Sequence, residues 1–288
     1  MKYFENENLI LSSTGLFSSW CYYKKMKTLF DCGDGISLAL NNRLMGINRI
    51  FIGHSHIDHI SGLLAFIGLR NILKGGSDQR LDIWCNLTDP FIVQYIDVVN
   101  KFYPPEKLNF VLYWNDIVPG QKVWIYKNIY VKAFKVEHTD YSLGFCICLT
   151  SKGLKEGIDP KTVYERIKSG ELSRDEIYTE RVFREFAYVL DSADFDIDEI
   201  KGVKEVVLDC TFLNEKDRDY KSHSSLMECK SIIDRSNCDM AYLTHVSPRY
   251  KITRGKYLIW DKLKGLRLGQ EIKTFNRLAA EIPESEKE

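Results

Sequence analysis

Half of the chain's histidines fall within one hexapeptide. The 288-residue sequence contains six histidines, and three of them lie in His54-Ser-His56-Ile-Asp58-His59. Side chains two residues apart on extended backbone point the same way, so His54 and His56 can bind one metal ion. The turn into a helix predicted from Ile60 directs Asp58 and His59 toward a second position. Imidazole and carboxylate ligands together suit Zn²⁺ or a similar divalent ion.

The other histidines and one aspartate also lie at the ends of predicted elements. His138 follows the strand IYVKAFKV, His245 follows MAYLT, and Asp191 follows FAYVL, while His223 precedes a helical stretch. The carboxyl ends of strands are where α/β folds expose reactive groups. We therefore expect these residues to meet the hexapeptide at one edge of the sheets.

The hydrophobic pattern predicts an α/β protein with sheets inside and helices outside. Strands are predicted over 27–33, 49–53, 81–85, 109–114, 122–126, 129–136, 144–150, 185–191, 204–210 and 239–245. Helices are predicted over 36–44, 60–73, 90–102, 160–169 and 224–234. We expect one domain over 1–280, with 152–184 as a charged, helical insertion on its surface and 281–288 as a polar tail.

Composition narrows the class of protein. The 40 basic and 40 acidic residues cancel, which argues against a surface coated in positive charge for nucleic acid and leaves a local basic patch open. The sequence has no secretory signal pattern and no apolar run near the ~20 residues of a membrane-spanning helix. Eight cysteines without a CxxC pair predict reduced thiols and a cytoplasmic protein.

Motifs along most of the chain carry a family resemblance. They are LFDCGDG (29–35), FIGHSHIDHISGL (51–63), VKAFKVEHT (131–139), FAYVLDS (186–192), VLDCTFL (207–213), HSS (223–225) and LTHVSPRY (243–250). Together they resemble the metallo-β-lactamase superfamily, and within it the ribonuclease Z branch of tRNA 3′-processing endonucleases. The resemblance implies an αβ/βα sandwich of two mixed β-sheets, with helices on the outer faces and metal ions at one edge.

The resemblance also implies which residues bind two divalent ions, Zn²⁺ or alternatively Mn²⁺. The first ion would be held by His54, His56 and His138. The second ion would be held by Asp58, His59 and His245. Asp191 would bridge both ions, and Asp194 is the alternative bridging residue.

Roles in phosphodiester hydrolysis follow from the same resemblance. Two ions lower the pKa of a bridging water, and Asp58 would orient the resulting hydroxide or take its proton. His223 would protonate the leaving oxygen or stabilise the charge that develops on it, supported by Asp209. Ser247 and Arg249 would contact phosphate oxygens.

Two substrates agree with these features. The first is precursor tRNA, cleaved at its 3′ end by a ribonuclease Z-like endonuclease. The alternative is a cyclic mononucleotide used in signalling, which some phage-encoded members of this scaffold degrade, because no Gly-Pro-rich tRNA-clamping arm is evident between Tyr141 and Asp191. The family further implies a homodimer. Phe17, Trp20 and Tyr250 are candidates for stacking on a base.

Overall fold

Two mixed β-sheets, of seven and nine strands, form the interior of the described part of the chain. The computed structural model describes residues 3–73, 80–170, 172–218, 221–250, 258–268 and 271–273. None of the helices within these ranges is long and apolar enough to cross a membrane.

The first sheet follows the order of the chain. Its strands are β1 (Phe4–Glu5), β2 (Leu9–Thr14), β3 (Ser18–Tyr23), β4 (Thr28–Phe30), β5 (Arg49–Phe51), β6 (Arg80–Cys85) and β7 (Val111–Asp116). Strands β1 to β4 are antiparallel, and β4 to β7 are parallel.

The second sheet runs in the reverse order, from β16 at one edge to β8 at the other. Its strands are β8 (Lys122–Tyr126), β9 (Ile129–Lys135), β10 (Leu143–Leu154), β11 (Tyr178–Val189), β12 (Glu205–Asp209), β13 (Met240–Thr244), β14 (Leu258–Asp261), β15 (Gly265–Leu268) and β16 (Glu271–Lys273). Strands β11, β12 and β13 are parallel, and the other neighbours are antiparallel. The carboxyl ends of the parallel strands in each sheet therefore lie together.

Seven α-helices lie within the described residues. They are α1 (Ile36–Leu40), α2 (Ile57–Ile60), α3 (Leu63–Ile72), α4 (Pro90–Phe102), α5 (Val163–Lys168), α6 (Arg174–Ile177) and α7 (Leu226–Ser236). Leu9 and Leu11 of β2 point into the core between the sheets, whereas Ile10 points into the core beneath α1, α3 and α4. Helix α7 packs on the outer face of the second sheet through Cys229 and Ile233. Burial of both sheet faces explains the nearly continuous apolar strands, and the predicted αβ/βα sandwich is confirmed.

A long β-hairpin occupies the segment predicted to be a helical insertion. The outer halves of β10 and β11 pair only with each other, from Thr150 opposite Val182 out to Leu154 opposite Tyr178. The short helices α5 and α6 lie between the two strands. The prediction that 152–184 is helical is therefore wrong at both ends, which belong to β10 and β11. In β11, the β-branched and aromatic residues Thr179, Val182 and Phe183 favour a strand.

The predicted limits of the domain extend beyond what the structure describes. The polar tail at 281–288 lies outside the described residues, as do the last residues of the predicted domain at 274–280. The single domain over 1–280 therefore stays a prediction.

Candidate metal centre

The predicted residues meet at the edge where the parallel strands end. His54 follows β5, His138 follows β9, Asp191 follows β11 and His245 follows β13. His56 precedes α2 in an extended conformation, and α2 itself carries Asp58 and His59. The chain thus turns from strand to helix within the hexapeptide, as its spacing predicts.

The buried carboxylate of Asp191 lies at the middle of the cluster. Its Oδ2 is 3.5 Å from Nε2 of His54 and 3.5 Å from Nε2 of His138. Its Oδ1 is 3.3 Å from Nε2 of His59 and 3.1 Å from Nε2 of His245. Each carboxylate oxygen therefore faces a different pair of histidines.

The donor atoms form three groups, within each of which they lie no more than 4.8 Å apart. One of them joins Asp191 and His245 to Asp209 and His223, and the other two contain the predicted ligands. Of these two, the first group contains His54, His56, His138 and Asp191, and the second contains Asp58, His59 and His245. Oδ2 of Asp58 is 3.5 Å from Nε2 of His59 and 3.3 Å from Nε2 of His245. These groups match the two ligand sets that the family resemblance implies.

Three buried donor atoms in the cluster fit a bound cation. Within the described residues, Nε2 of His54, Nε2 of His59 and Oδ1 of Asp191 have no hydrogen-bond partner. Burial of an unpartnered polar atom is costly, so such atoms are rare unless an ion or water satisfies them. Nitrogen and carboxylate donors converging in this way suit divalent metal ions.

Hydrogen bonds behind the histidines aim their Nε2 atoms at the centre. His59 Nδ1 donates to Oδ2 of Asp31 at 2.6 Å, and the same oxygen accepts the hydroxyl of Tyr188 at 2.8 Å. His138 Nδ1 donates to the carbonyl of Ser222 at 3.1 Å. With Nδ1 as the donor, Nε2 is left with its lone pair available for a metal.

Asp209 organises a second set of bonds behind the site. Its Oδ1 accepts the hydroxyl of Thr211 at 2.7 Å, and its Oδ2 accepts Nδ1 of His223 at 2.8 Å. Because the Thr211 hydroxyl donates its hydrogen bond to Asp209, Thr211 Oγ1 accepts from Nδ1 of His245 at 3.0 Å. One carboxylate therefore orients both His223 and His245.

Comparison with known proteins points the same way as the motifs. No protein-family model matches the chain. A curated ribonuclease Z from Saccharolobus islandicus (strain M.14.25 / Kamchatka #1) is 28% identical over 250 residues, covering 78% of this chain and 80% of that protein. The short form of human tRNase Z has a TM-score of 0.58 and 16% identity, covering 82% of this chain and 91% of that chain. The metallo-β-lactamase fold protein YhfI from Bacillus subtilis has a TM-score of 0.56 and 15% identity, covering 82% of this chain and 85% of that chain.

The chain has the metallo-β-lactamase fold and resembles ribonuclease Z. The structural neighbours, at low identity, support the fold, and the curated relatives support the resemblance to ribonuclease Z. Both predictions made from the motifs are thereby confirmed.

The electrostatics of this ribonuclease Z-like centre differ between the two groups. Burial lowers the pKa of His138 to about 4 and also lowers that of His56, so both imidazoles are neutral at pH 7. Burial alone would lower the pKa of His245, but the charge of Asp191 raises it to about 9. Burial alone would raise the pKa of Asp58, but the hydrogen bond from His245 lowers it to about 2. The second group therefore carries protons that a metal ion would displace.

Two alternatives for the bridging carboxylate are separated by their positions. Asp194 is exposed, and its Oδ1 accepts the backbone N–H of Phe195 at 2.9 Å. Asp191 is buried among the histidines. Of the two, Asp191 is the residue placed to face both groups.

The predicted phosphate contacts follow His245 along the chain. Ser247 is half-buried, and its N–H donates to the carbonyl of Thr211 at 3.1 Å. Arg249 is exposed and donates to the carbonyl of Asp217 at 3.1 Å, with its guanidinium carbon 5.5 Å from the centre of the Phe212 ring. Their contact with phosphate stays a prediction.

Three residues that support the site have no role predicted from the sequence. Asp31 follows the strand β4 just as Asp191 follows β11, and this placement was the available signal. Thr211 lies in the VLDCTFL motif two residues after Asp209. Tyr188 carries no signal, because it reads as one more aromatic residue in a buried strand.

Proposed function

We propose that this chain is a metal-dependent endoribonuclease that removes the 3′ extension of precursor tRNA. One observation carries the proposal: the two oxygens of Asp191 face two separate groups of metal-ligand atoms. Paired divalent ions are a common arrangement for hydrolysing phosphodiesters. The substrate is inferred from the curated relatives, which are named ribonuclease Z.

The proposed ligands are the residues whose donor atoms converge around Asp191. They are His54, His56 and His138 for one ion, Asp58, His59 and His245 for the other, and Asp191 for both. Nitrogen and carboxylate donors support Zn²⁺ as the native ion, with Mn²⁺ as the alternative. Ions bound here would lower the pKa of a water molecule and neutralise charge on the phosphodiester.

Two side chains are proposed to act on the attacking water and on the leaving oxygen. Asp58 has its pKa lowered to about 2, so it is ionised at pH 7 and can orient the attacking water by accepting a hydrogen bond from it. Nδ1 of His223 donates a hydrogen bond to Asp209, which leaves Nε2 to donate a proton to the leaving oxygen. The ring of His223 lies 4.8 Å from that of His138, at the rim of the cluster.

A cyclic mononucleotide is the alternative substrate, and two observations favour it. Basic and acidic residues balance at 40 each, so no net positive charge attracts RNA. The segment between His138 and Asp191 forms the β10–β11 hairpin rather than a Gly-Pro-rich arm. A small substrate needs neither feature.

The test offers both substrates to the metal-loaded protein in parallel. We expect one cut at the 3′ side of a 3′-extended precursor tRNA and no turnover of a panel of 3′,5′-cyclic mononucleotides. His56→Ala removes a proposed ligand and should abolish cleavage, whereas Asp194→Asn changes an exposed carboxylate and should leave it intact. Uncut precursor with the unaltered protein would refute the proposal, and linearised cyclic nucleotides would establish the alternative.

We also propose a cytoplasmic homodimer. All eight cysteines are free and buried, which supports a reducing compartment. The dimer is inferred from the family resemblance alone. Sedimentation equilibrium should give twice the 33.5 kDa chain mass, and a monomer at micromolar concentration would contradict it.

A further inference from the structure

The turn between β2 and β3 presents two apolar side chains to solvent. The N–H of Phe17 donates to the carbonyl of Thr14 at 3.1 Å, which closes the turn. Leu16 is 78% exposed and Phe17 is 64% exposed. Polar residues usually occupy such tips, so an apolar pair here is unusual for a surface turn.

The backbone of this turn is also in an uncommon conformation. Leu16 has a φ of +70°, in the left-handed region that favours glycine or asparagine at this position of a turn. A bulky residue in this region is unfavourable and is found most often near functional sites. Exposure and backbone strain therefore coincide at Leu16.

The turn lies against the second group of metal-ligand atoms. A Cβ at Gly15 would sit 3.1 Å from the carbonyl oxygen of His245 and 3.3 Å from Cε1 of its ring. On the other side, Gly33 alone separates the backbone of Ser19 from the carbonyl of Asp58, and a Cβ there would clash with both. The turn thus lies beside His245 at Gly15, and the start of β3 at Ser19 lies beside the backbone of Asp58.

Hydrogen bonds make the base of the turn rigid. Ser18 Oγ donates to the carbonyl of Asp34 at 2.7 Å, and the hydroxyls of Ser13 and Ser19 lie 3.2 Å apart. Strands β2 and β3 pair in register from Leu9 up to the turn. A preorganised tip costs little further ordering when it contacts a ligand.

Of the three aromatic residues considered for base stacking, only Phe17 is accessible. Trp20 is fully buried in the core beneath the helices. Tyr250 is buried, and its hydroxyl donates to Asp217 at 2.6 Å. Of these three, Phe17 alone has a ring exposed to solvent, and it lies in the turn whose Gly15 contacts His245.

We propose that Phe17, flanked by Leu16, stacks on a nucleobase next to the scissile phosphodiester and so positions that phosphate at the Asp58–His245 side of the centre. This inference rests on the proposed function, because it requires a nucleotide substrate. An aromatic ring accepts any base, since every base has a π-face, so the contact adds affinity with little sequence preference.

The experiment pairs protein variants with substrates that lack one base. Phe17→Ala removes the ring, Phe17→Tyr keeps it, and Phe102→Ala removes a similarly exposed ring, 68% exposed, on helix α4. The substrates are a 3′-extended precursor tRNA and two copies of it with an abasic ribose immediately 5′ or 3′ of the cut. Bound metal is measured for each variant, so that a damaged centre is recognised.

We expect Phe17→Ala to lower kcat/KM on the full substrate by about 5- to 150-fold, the fold-change that matches ~1–3 kcal/mol for a stacked base. Phe17→Tyr and Phe102→Ala should behave like the unaltered protein, and metal content should not change. On one of the two abasic substrates, the unaltered protein should lose the same factor and Phe17→Ala should lose nothing more.

Two results would overturn the stacking proposal while leaving the proposed function intact. One is full activity of Phe17→Ala on the complete precursor. The other is that both abasic substrates lower kcat/KM by the same factor for Phe17→Ala and for the unaltered protein. The ring and the base would then act independently, which means that they do not contact each other. If the unaltered protein cuts no precursor at all, the proposed function and the stacking proposal fail together.

Discussion

Replacing Asp31 by asparagine should weaken the binding of one metal ion without changing any of the proposed metal ligands. The Asp31 carboxylate is buried, and its Oδ2 accepts from both His59 Nδ1 at 2.6 Å and Tyr188 at 2.8 Å. Its Oδ1 accepts the N–H of Gly53 at 2.7 Å. Asparagine has one acceptor oxygen, so it cannot accept hydrogen bonds both from Gly53 and from the His59–Tyr188 pair. When the NH2 group of the asparagine faces His59, Nδ1 of His59 must accept a hydrogen bond. The imidazole proton then lies on Nε2 and blocks the atom that should bind the metal.

The size of the effect follows from the position of Asp31 behind His59. Loss of such an outer hydrogen bond to a metal-binding histidine typically lowers metal affinity about 10- to 100-fold. That factor corresponds to ~1.4–2.7 kcal/mol. Titrating the metal-free protein with Zn²⁺ against a competing chelator resolves the two binding events. We expect the weakening in only one of them, because His59 belongs to the second group.

Tyr188→Phe is the matched control for this change. It removes a donor to the same oxygen and leaves the His59 bond in place. Its Zn²⁺ affinity should stay close to that of the unaltered protein, with a loss of about 0.5–1.5 kcal/mol in unfolding free energy. The reasoning is refuted when Asp31→Asn binds both ions normally, or when Tyr188→Phe weakens metal binding as much as Asp31→Asn does.

Three further perturbations test separate parts of the structure. Zn²⁺ at about 100 times its Kd should add ~2.7 kcal/mol to the stability of metal-free protein, seen as a higher Tm by calorimetry, and Asp191→Asn should lose most of that gain. His223→Ala should lower kcat for precursor cleavage by about 10²- to 10⁴-fold with bound metal unchanged, and a parallel loss of metal would argue against proton donation. Burial alone would raise the pKa of Glu185, but hydrogen bonds from Lys204 and Lys25 lower it in the folded protein. The stability from Glu185 is therefore present above its unfolded pKa of about 4.3 and is lost as the pH falls through its lower folded pKa. Glu185→Gln should cost about 1–3 kcal/mol in urea unfolding at pH 7, and an undiminished cost in acid would contradict the ion pairing.

The helices and strands whose hydrophobic pattern agrees with their burial are predictable from the sequence. The strand at 122–126 and the helix at 90–102 have the predicted bounds. Strands β2 and β3 were missed, because Ser12, Ser13 and Ser19 stand where apolar residues are expected in a buried strand. Pairing between neighbouring strands satisfies their backbone, so the hairpin forms despite weak hydrophobic patterning.

The members of the metal centre were predictable, but the groups that orient them were not. Ligand types at strand ends indicate a shared edge, because topology alone brings such ends together. The bond between Tyr188 and Asp31 joins residues 157 positions apart, and that between Asp209 and His223 depends on how α7 is placed. Likewise, Phe17 and Trp20 look alike in sequence, and only packing decides which is exposed.

Backbone conformation explains why aspartate and histidine at strand ends were reliable guides. Asp31, Asp191 and His245 have φ values of +55°, +48° and +60°, and they follow β4, β11 and β13. Aspartate and histidine enter this left-handed region more readily than most residues, and both can bind or orient a metal ligand. The same residues thus end the strands and supply the chemistry. Leu16, at +70°, has neither property, and its strain coincides with the exposed Leu16–Phe17 tip that we propose contacts a substrate base.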